Sequence, residues 1–317
     1  MRIWRSLDDV PVDLARSVVT IGNFDGVHLG HQHVIQRARQ VAAELGVAHV
    51  VAVTFDPHPV AVLRPDHGPP TLTTIETRVE LLQQAGADHV LVLPFTRDIA
   101  AWSPERFIAE IVVGALHAAA VVVGANFRFG SRAAGDVSLL RLAGDSGDFV
   151  TVGIPLGGGP QVWSSTYVRN RLVEGDVSAA AEALGRPFQV RGVVVEGDRR
   201  GRELGYPTAN VPTSGRQAAP ADGVYAGWLR RLDDGSAPLP AAISVGTNPT
   251  FDGERARRVE CYVLDRDDLE LYGVPVEVSF VCRLRGMERF DTVEELIETM
   301  RHDVARAHVV LDVPEPA

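Results

Sequence analysis

A change of rhythm near residue 185 constrains the fold of this chain more than any single motif does. Up to that point strand-like and helix-like segments alternate. "SVVTIG" (17–22) reads as a buried strand, residues 31–45 as a helix ended by Gly46, and "VAHVVAVTF" (47–55) as the next strand. A helix near 75–85 stops at Gly86, and "HVLVLPF" (89–95), "AAAVVVG" (118–124) and "FVTVGIP" (149–155) follow as strands. Ser103, Pro104 and Glu105 form a helix start, with an N-cap, a Pro at the first helical position and an acid in the first turn. Strands that are apolar throughout and alternate with helices imply a parallel sheet covered on both faces. Ligands of such sheets sit at the carboxyl ends of the strands. "GNFDG", "FDPHP" and "GANFRFG" all fall there.

After Gly185 the strands come consecutively: "FQVRGVVVEG", "GVYAGWLRR", "AAISVG", "RRVECYVLD" and "VPVEVSFVCRLR" are separated by Gly, Pro and Asp turns. Val274, Val276, Val278 and Phe280 alternate at period two, so one face of that strand is buried. The pattern predicts an antiparallel barrel or sandwich closed by a helix. Thr292 and Glu295 make a capping-box pattern there, and Leu296, Met300 and Val304 recur at helical spacing.

The length of 317 residues agrees with about two domains. No stretch approaches the ~18 apolar residues of a membrane span, and the polar start lacks a signal peptide's apolar core. Cys261 and Cys282 fit reduced core thiols. A cytoplasmic protein is expected. The net charge of −10 speaks against a large nucleic-acid footprint. All 31 basic residues are arginine. Without lysine there is no Walker A loop and no kinase strand lysine, so phosphates must be handled by Arg, His, backbone amides and metal.

His28 and His31 in "GNFDGVHLGHQ" fall where a strand turns into a helix. Helix N-termini attract anions, and Gly22, Gly26 and Gly30 allow close backbone approach. Imidazoles there can donate to phosphate oxygens. H-x-G-H alone is equally compatible with surface histidines on a polar turn, and no third ligand supports a metal site. "SSTYVRNRLVEGD" (164–176) adds hydroxyls at a helix start followed by arginines, a second phosphate-holding pattern. "GGGP" (157–160) reads as a flexible turn rather than a phosphate loop.

Taken together, these segments resemble the bacterial bifunctional riboflavin kinase/FAD synthetases. "GNFDGVHLGHQ", "TFDPHP", "GANFRFGSRAAGD" and "SSTYVRNRLVEGDV" carry the resemblance in the first half. "GDRRGRELGYPTANV", "DGVYAG", "VGTNPTF", "VECYVLD" and "LYG" carry it in the second. It spans roughly residues 15 to 310 in the expected order. It implies a Rossmann-like nucleotidyltransferase α/β domain over residues 1–185 and a flavokinase β-barrel with a terminal helix over 186–317.

The resemblance further implies that riboflavin is phosphorylated to FMN and FMN adenylylated to FAD, each step with ATP and Mg²⁺. ATP in the first half would meet Gly22, Phe24, Asp25, His28, His31, Ser164, Ser165, Thr166 and Arg169, and FMN would meet Asn126 and His58. His58, between two prolines, is equally compatible with filling a rigid turn. In the second half Gly197, Gly201, Gly205, Pro207, Thr208 and Asn210 would hold ATP, with Thr208 and Asn210 as Mg²⁺ ligands. Glu260 is the candidate base and Arg285 a candidate flavin contact. Two departures stand out: Tyr167 where the family often has Arg, and Asn126 where many relatives have Asp. Rival readings are a single-activity FAD synthetase whose barrel only binds flavin, and a non-catalytic flavin-binding protein. The expected partners are flavins and adenine nucleotides, without nucleic acid or membrane, and a homo-oligomer is left open.

Overall fold

The computed structural model of the chain describes residues 2–155, 163–197, 205–213, 216–247 and 257–313. It divides into two compact units, Met1–Pro69 with Thr74–Ser164, and Pro70–Thr73 with Ser165–Ala317.

The first unit is built on a six-stranded sheet of β1 (Arg2–Trp4), β2 (Ser17–Ile21), β3 (His49–Asp56), β4 (His89–Pro94), β5 (Ala118–Gly124) and β8 (Val150–Ile154). Its order is β1-β4-β3-β2-β5-β8, and every pairing is parallel. A small antiparallel pair, β6 (Arg128–Phe129) and β7 (Gly135–Asp136), lies apart from it. The helices are α1 (Leu29–Leu45), α2 (Pro59–Leu63), α3 (Ile75–Gln84), α4 (Arg97–Ala101), α5 (Pro104–Phe107) and α6 (Val137–Gly147). The sequence alternation explains the layering. Val19, Ile21, Val51, Val53, Leu91, Leu93, Val121 and Val123 feed a core on one face. Their neighbours Val18, Val50, Ala120 and Val122 meet α1 through Ala38, Val41 and Ala42 on the other. Two buried faces require the continuous apolar strands seen in the sequence.

Two details differ from the sequence expectation. β1 was not anticipated; it is held by parallel pairing to β4, by the Arg2 amide donating to His89 Nδ1 at 3.1 Å, and by Trp4 stacked on the His89 ring at 4.9 Å. α1 begins at Leu29 rather than residue 31, because His28 is extended (φ −66°, ψ 168°) and occupies the N-cap position.

The second unit is a six-stranded antiparallel sheet of β9 (Phe188–Val193), β10 (Thr208–Pro212), β11 (Gly223–Arg231), β12 (Leu239–Thr247), β13 (Arg257–Val263) and β14 (Pro275–Arg285). The order is β10-β13-β12-β11-β14-β9. Just past β9, the Val195 amide donates to the Asn210 carbonyl at 2.9 Å, joining the two edges and closing a barrel. Tyr225, Ile243, Val259, Val278 and Phe280 fill it. The terminal helix α9 (Val293–Leu311) covers Val224, Ala226, Ala242 and Leu284 through Ala307 and Leu311. Thr292 caps it as expected, accepting from the Glu295 amide at 3.2 Å. Cys261 and Cys282 are free thiols.

The second unit also takes in α7 (Ser165–Glu174) and α8 (Val177–Leu184). The Ala221 amide donates to the Leu172 carbonyl at 2.8 Å, Arg283 to the Glu174 carbonyl at 3.3 Å, and Ser178 Oγ to the Val281 carbonyl at 3.4 Å. Val168, Leu172, Val177 and Leu184 are fully buried. Each such side chain contributes about 1.5–3 kcal/mol. A fragment starting at Arg186 should therefore melt at least ~10 °C below one starting at Ser165. Equal melting temperatures in scanning calorimetry would show that α7 and α8 add nothing to the barrel.

Candidate active site

In the first unit the chain passes from β2 to β3 and β4 on one side, and reaches β5 and β8 on the other. The carboxyl ends of β2 and β5 thus flank a topological switch point, where sheets of this kind open a crevice. The β2–α1 turn (22–28), the β3–α2 turn (56–58) and the β5 turn (124–126) converge there in the order the sheet dictates.

The β2–α1 turn is tightly wound. Phe24 (φ 49°), Gly26 (φ 82°) and Val27 (φ 41°) are all left-handed. For buried Phe24 and β-branched Val27 this costs on the order of 1–3 kcal/mol each. The Val27 amide donates to the Phe24 carbonyl at 3.0 Å and Gln32 Nε2 to the Val27 carbonyl at 2.9 Å, so the fold enforces the strain. At Gly22 a Cβ would lie 3.2 Å from the Phe24 ring, and at Gly30 it would lie 3.1 Å from His28 Nδ1. These two glycines make room for the ring beside them.

The outcome is a pair of stacked imidazoles. His28 and His31 have ring centroids 3.6 Å apart at 24°, and Phe24 meets the His31 ring edge-on at 5.1 Å. His28 is buried. His31 is half-buried, yet its Nδ1 is sealed from solvent with no hydrogen-bond partner among the described residues. With no acceptor at Nδ1, the proton belongs on Nε2. Burial, then the neighbouring His28 ring, then the Arg78 guanidinium hold the His31 pKa well below the usual histidine value.

That depression links to stability. Below pH ~6.5 an unfolded chain binds a proton on residue 31, while the folded ring resists it. Stability should therefore be complete above ~6.5 and fall progressively as the pH drops below it. In urea melts at pH 7.5 and 5.5, His31→Gln should lose less stability on acidification than the wild-type chain; identical losses would remove the link.

His58 caps α2: its Nδ1 accepts from the Val60 amide at 3.2 Å, and its Nε2 lies 3.4 Å from Asn23 Nδ2 on the neighbouring turn. It thus fills its turn and also bridges two of the three turns. Asn126 is exposed beyond β5, its Oδ1 crowding the position where Gly124 lacks a Cβ. Ser164 ends the first unit. Ser165, Thr166 and Arg169 lie on α7 of the second unit, where Arg169 Nε donates to the Pro70 carbonyl at 2.7 Å.

One buried residue absent from the sequence reading, Arg78, joins the expected Asp25 to complete the first unit's turn. Arg78 of α3 and Asp25 are 4% and 1% exposed. Arg78 Nη2 lies 3.5 Å from Asp25 Oδ1, and its Nη1 donates to Thr54 Oγ1 at 3.3 Å and to the Phe55 carbonyl at 3.1 Å. Asp25 itself is part of the expected nucleotide motif, but its ion pair with Arg78 and the packing of Thr54 beneath it were not foreseen.

In the barrel, β13 lies between β10 and β12 in a register that sets Asn210 opposite Glu260 and Glu260 opposite Ser244. The three residues form one row across adjacent strands. Asn210 is buried, Glu260 and Ser244 half-buried. A Cβ on Gly197 would collide with the Asn210 amide, which is why that position is glycine. Gly205 is left-handed (φ 84°) with open space around it, and Gly201 and the "GGGP" turn lie outside the described residues. Beside Thr208 runs a cleft whose walls include Val194, Pro207, Ala209, Leu269, Leu271 and Tyr272. Arg285 faces elsewhere: its guanidinium forks onto buried Asp303 of α9 at 2.8 and 3.0 Å.

Fold and sites together define a nucleotidyltransferase-type α/β unit joined in one chain to a flavokinase-type barrel. Family models agree: FAD synthetase matches residues 11–165 and riboflavin kinase residues 184–311. The bifunctional riboflavin kinase/FMN adenylyltransferase of Escherichia coli K12 is 36% identical over 302 residues, covering 95% of this chain and 94% of its own. The Bacillus subtilis protein of the same name is 34% identical over 296 residues, 92% of each. A solved Streptococcus pneumoniae structure described as a macrolide-efflux protein superposes with TM-score 0.85 at 31% identity, covering 96% of this chain and 98% of that one. Among the described residues no helix is long and apolar enough to cross a membrane. The chain belongs to the bifunctional riboflavin kinase/FMN adenylyltransferase family.

Proposed function

We propose that this chain converts riboflavin to FMN in the barrel and FMN to FAD on the α/β unit, each step consuming ATP. The observation that carries the second step is the stacked His28–His31 pair at the start of α1, at the switch-point crevice. The nucleophile is the FMN phosphate, largely dianionic near pH 7 because its second pKa is ~6. It attacks the α-phosphorus of ATP and pyrophosphate leaves. No base is needed. The site's task is alignment and neutralisation of the charge growing on pyrophosphate. The helix N-terminus and the imidazole N–H groups supply donors, and Ser164 is a further phosphate donor of the same unit in this reading. Gly22, Phe24 and Asp25 shape the turn, while His58 and Asn126 belong to the flavin-nucleotide side.

In the barrel the nucleophile is a neutral ribityl hydroxyl, which attacks the γ-phosphorus of ATP and releases ADP. Glu260 takes the hydroxyl proton. Thr208 and Asn210 offer neutral oxygens, a donor set that suits Mg²⁺ sharing its shell with water and phosphates. Gly197 leaves room for the Asn210 amide, consistent with that fit. When bound, Mg²⁺ would offset phosphate charge. The cleft beside Thr208, walled by Pro207, Leu269, Leu271 and Tyr272 as well as Arg266 and Asp267, suits an aromatic ring with polar substituents; Gly197, Gly201 and Gly205 precede it in the sequence. Arg285 anchors α9 rather than flavin in this proposal.

The test is direct. Purified protein incubated with riboflavin, ATP and Mg²⁺ should give FMN and then FAD by chromatography. FAD only from supplied FMN would reduce the barrel to a binding domain, and no product from either flavin would overturn the reading.

A further inference from the structure

Arg78 stands on α3, away from every motif that carries the proposed chemistry, yet it is almost completely buried directly behind the β2–α1 turn. Its contacts form a closed circuit. Nη2 faces Asp25 in the turn, and Nη1 donates to Thr54 Oγ1 and to the Phe55 carbonyl at the end of β3. Thr54 Oγ1 in turn donates to the Asn23 carbonyl at 3.0 Å, returning to the same turn. One guanidinium thus joins two residues of the turn to two residues of the adjacent strand end. The turn is strained at Phe24 and Val27, and such conformations persist only where surrounding structure over-determines them.

We propose that Arg78 is the positioning residue of the H-x-G-H turn, clamping Asp25 and Asn23 to the end of β3 so that His28 and His31 are presented as one fixed stacked pair. The role rests on the adenylyl-transfer reading of that turn. A fork is required, because a point charge could satisfy Asp25 but not also reach Thr54 and the Phe55 carbonyl in their fixed directions. The cation has a second consequence. Among the described residues the charged and titratable groups acting on His31 are His28 at the N-cap of α1 and Arg78 from α3, and Arg78 is itself paired with Asp25 in the turn. Arg78 and His28 both disfavour a proton on His31, with burial as the larger cause.

Two substitutions separate geometry from charge. R78K keeps the charge and loses the fork; R78M loses both. A misplacement of about 1 Å costs about 10²-fold, so R78K should lower kcat for FAD formation from FMN and ATP by about that factor. The KM values should change little, and FMN formation by the same polypeptide should be unaltered. Histidine Cε1–H resonances, assigned with H31Q, report the rest: His31 should titrate as in the wild type in R78K and closer to the ordinary histidine value in R78M. Wild-type FAD formation by R78K, or an unmoved His31 titration in R78M, would overturn the proposal. If R78M does not fold because Asp25 is left alone, the double variant R78M/D25N is read in its place, and R78K still decides on activity. A wild-type chain that makes no FAD would sink the functional reading instead, while the titrations would still judge the coupling between Arg78 and His31.

Discussion

A chain carrying His28→Ala and His31→Ala together is expected to lose FAD formation by at least ~10²–10³-fold while making FMN from riboflavin at its normal rate. Loss of one donor aimed at developing charge typically costs about 2.7–4 kcal/mol of barrier. The two rings are stacked at 3.6 Å, so their contributions should not add. Removing either ring unsupports the other, and each single variant should already approach the double. The structure sharpens what is lost. His31 is held neutral in the free chain by burial and by its charged neighbours, so it acts as an N–H donor and not as a fixed cation. Timed assays of both products from one preparation give the answer. Undiminished FAD synthesis by the double variant would remove the pair from the reaction, and a parallel fall in FMN would mean that the substitutions damage folding.

The absence of lysine gives this arrangement its logic. Without a P-loop ammonium the chain must meet polyphosphate with helix-terminal amides, imidazole and arginine. A neutral His31 fits beside a buried Arg78–Asp25 pair at less electrostatic cost than an imidazolium would. The strained turn then has a physical role, since it holds two rings closer than an unconstrained backbone would place them.

Much of this was legible in the sequence. Fully apolar strands alternating with helices marked the parallel sheet, and of the period-two set Val274, Val276, Val278 and Phe280 the last three are completely buried in the barrel wall, while Val274 is half-buried just before β14 begins. What escaped had specific causes. β1 is only Arg2–Trp4, too short for any periodicity, and exists through its pairing with β4 and the Trp4–His89 stack. β10, "TANVP", was not among the expected strands, being short and flanked by prolines, and pairing with β13 makes it one. α7 and α8 follow the rhythm of the first half but bury their apolar faces in the second unit, a tertiary choice with no local signature. Arg78 sits in "IETRVELLQQ" as an ordinary helical arginine would, and its importance appears only when Asp25 and Thr54 arrive from 53 and 24 residues away. Arg285 shows the converse: its partner Asp303 lies on a helix whose docking the sequence suggested but whose pairing it did not.

Glu260→Gln should lower FMN formation by roughly 10²–10⁴-fold, the usual contribution of a positioned base, and leave adenylylation of supplied FMN near the wild-type rate. The substitution is clean because of where the residue sits. β13 is paired on both sides, with Asn210 and Ser244 opposite residue 260, so the backbone cannot easily move. Gln keeps the size and one acceptor while losing basicity, and a drop in rate then reports the missing proton acceptor. Thr208→Ala is the necessary companion. It removes a neutral oxygen from the cleft while leaving the Glu260 carboxylate intact. If both variants lose the kinase step, hydroxyl deprotonation and phosphate alignment are both needed. If Thr208→Ala abolishes it and Glu260→Gln is fully active, Glu260 is a structural acceptor. In that case the ribityl hydroxyl loses its proton to solvent or phosphate, because no step in the alignment of two substrates requires a carboxylate at this position.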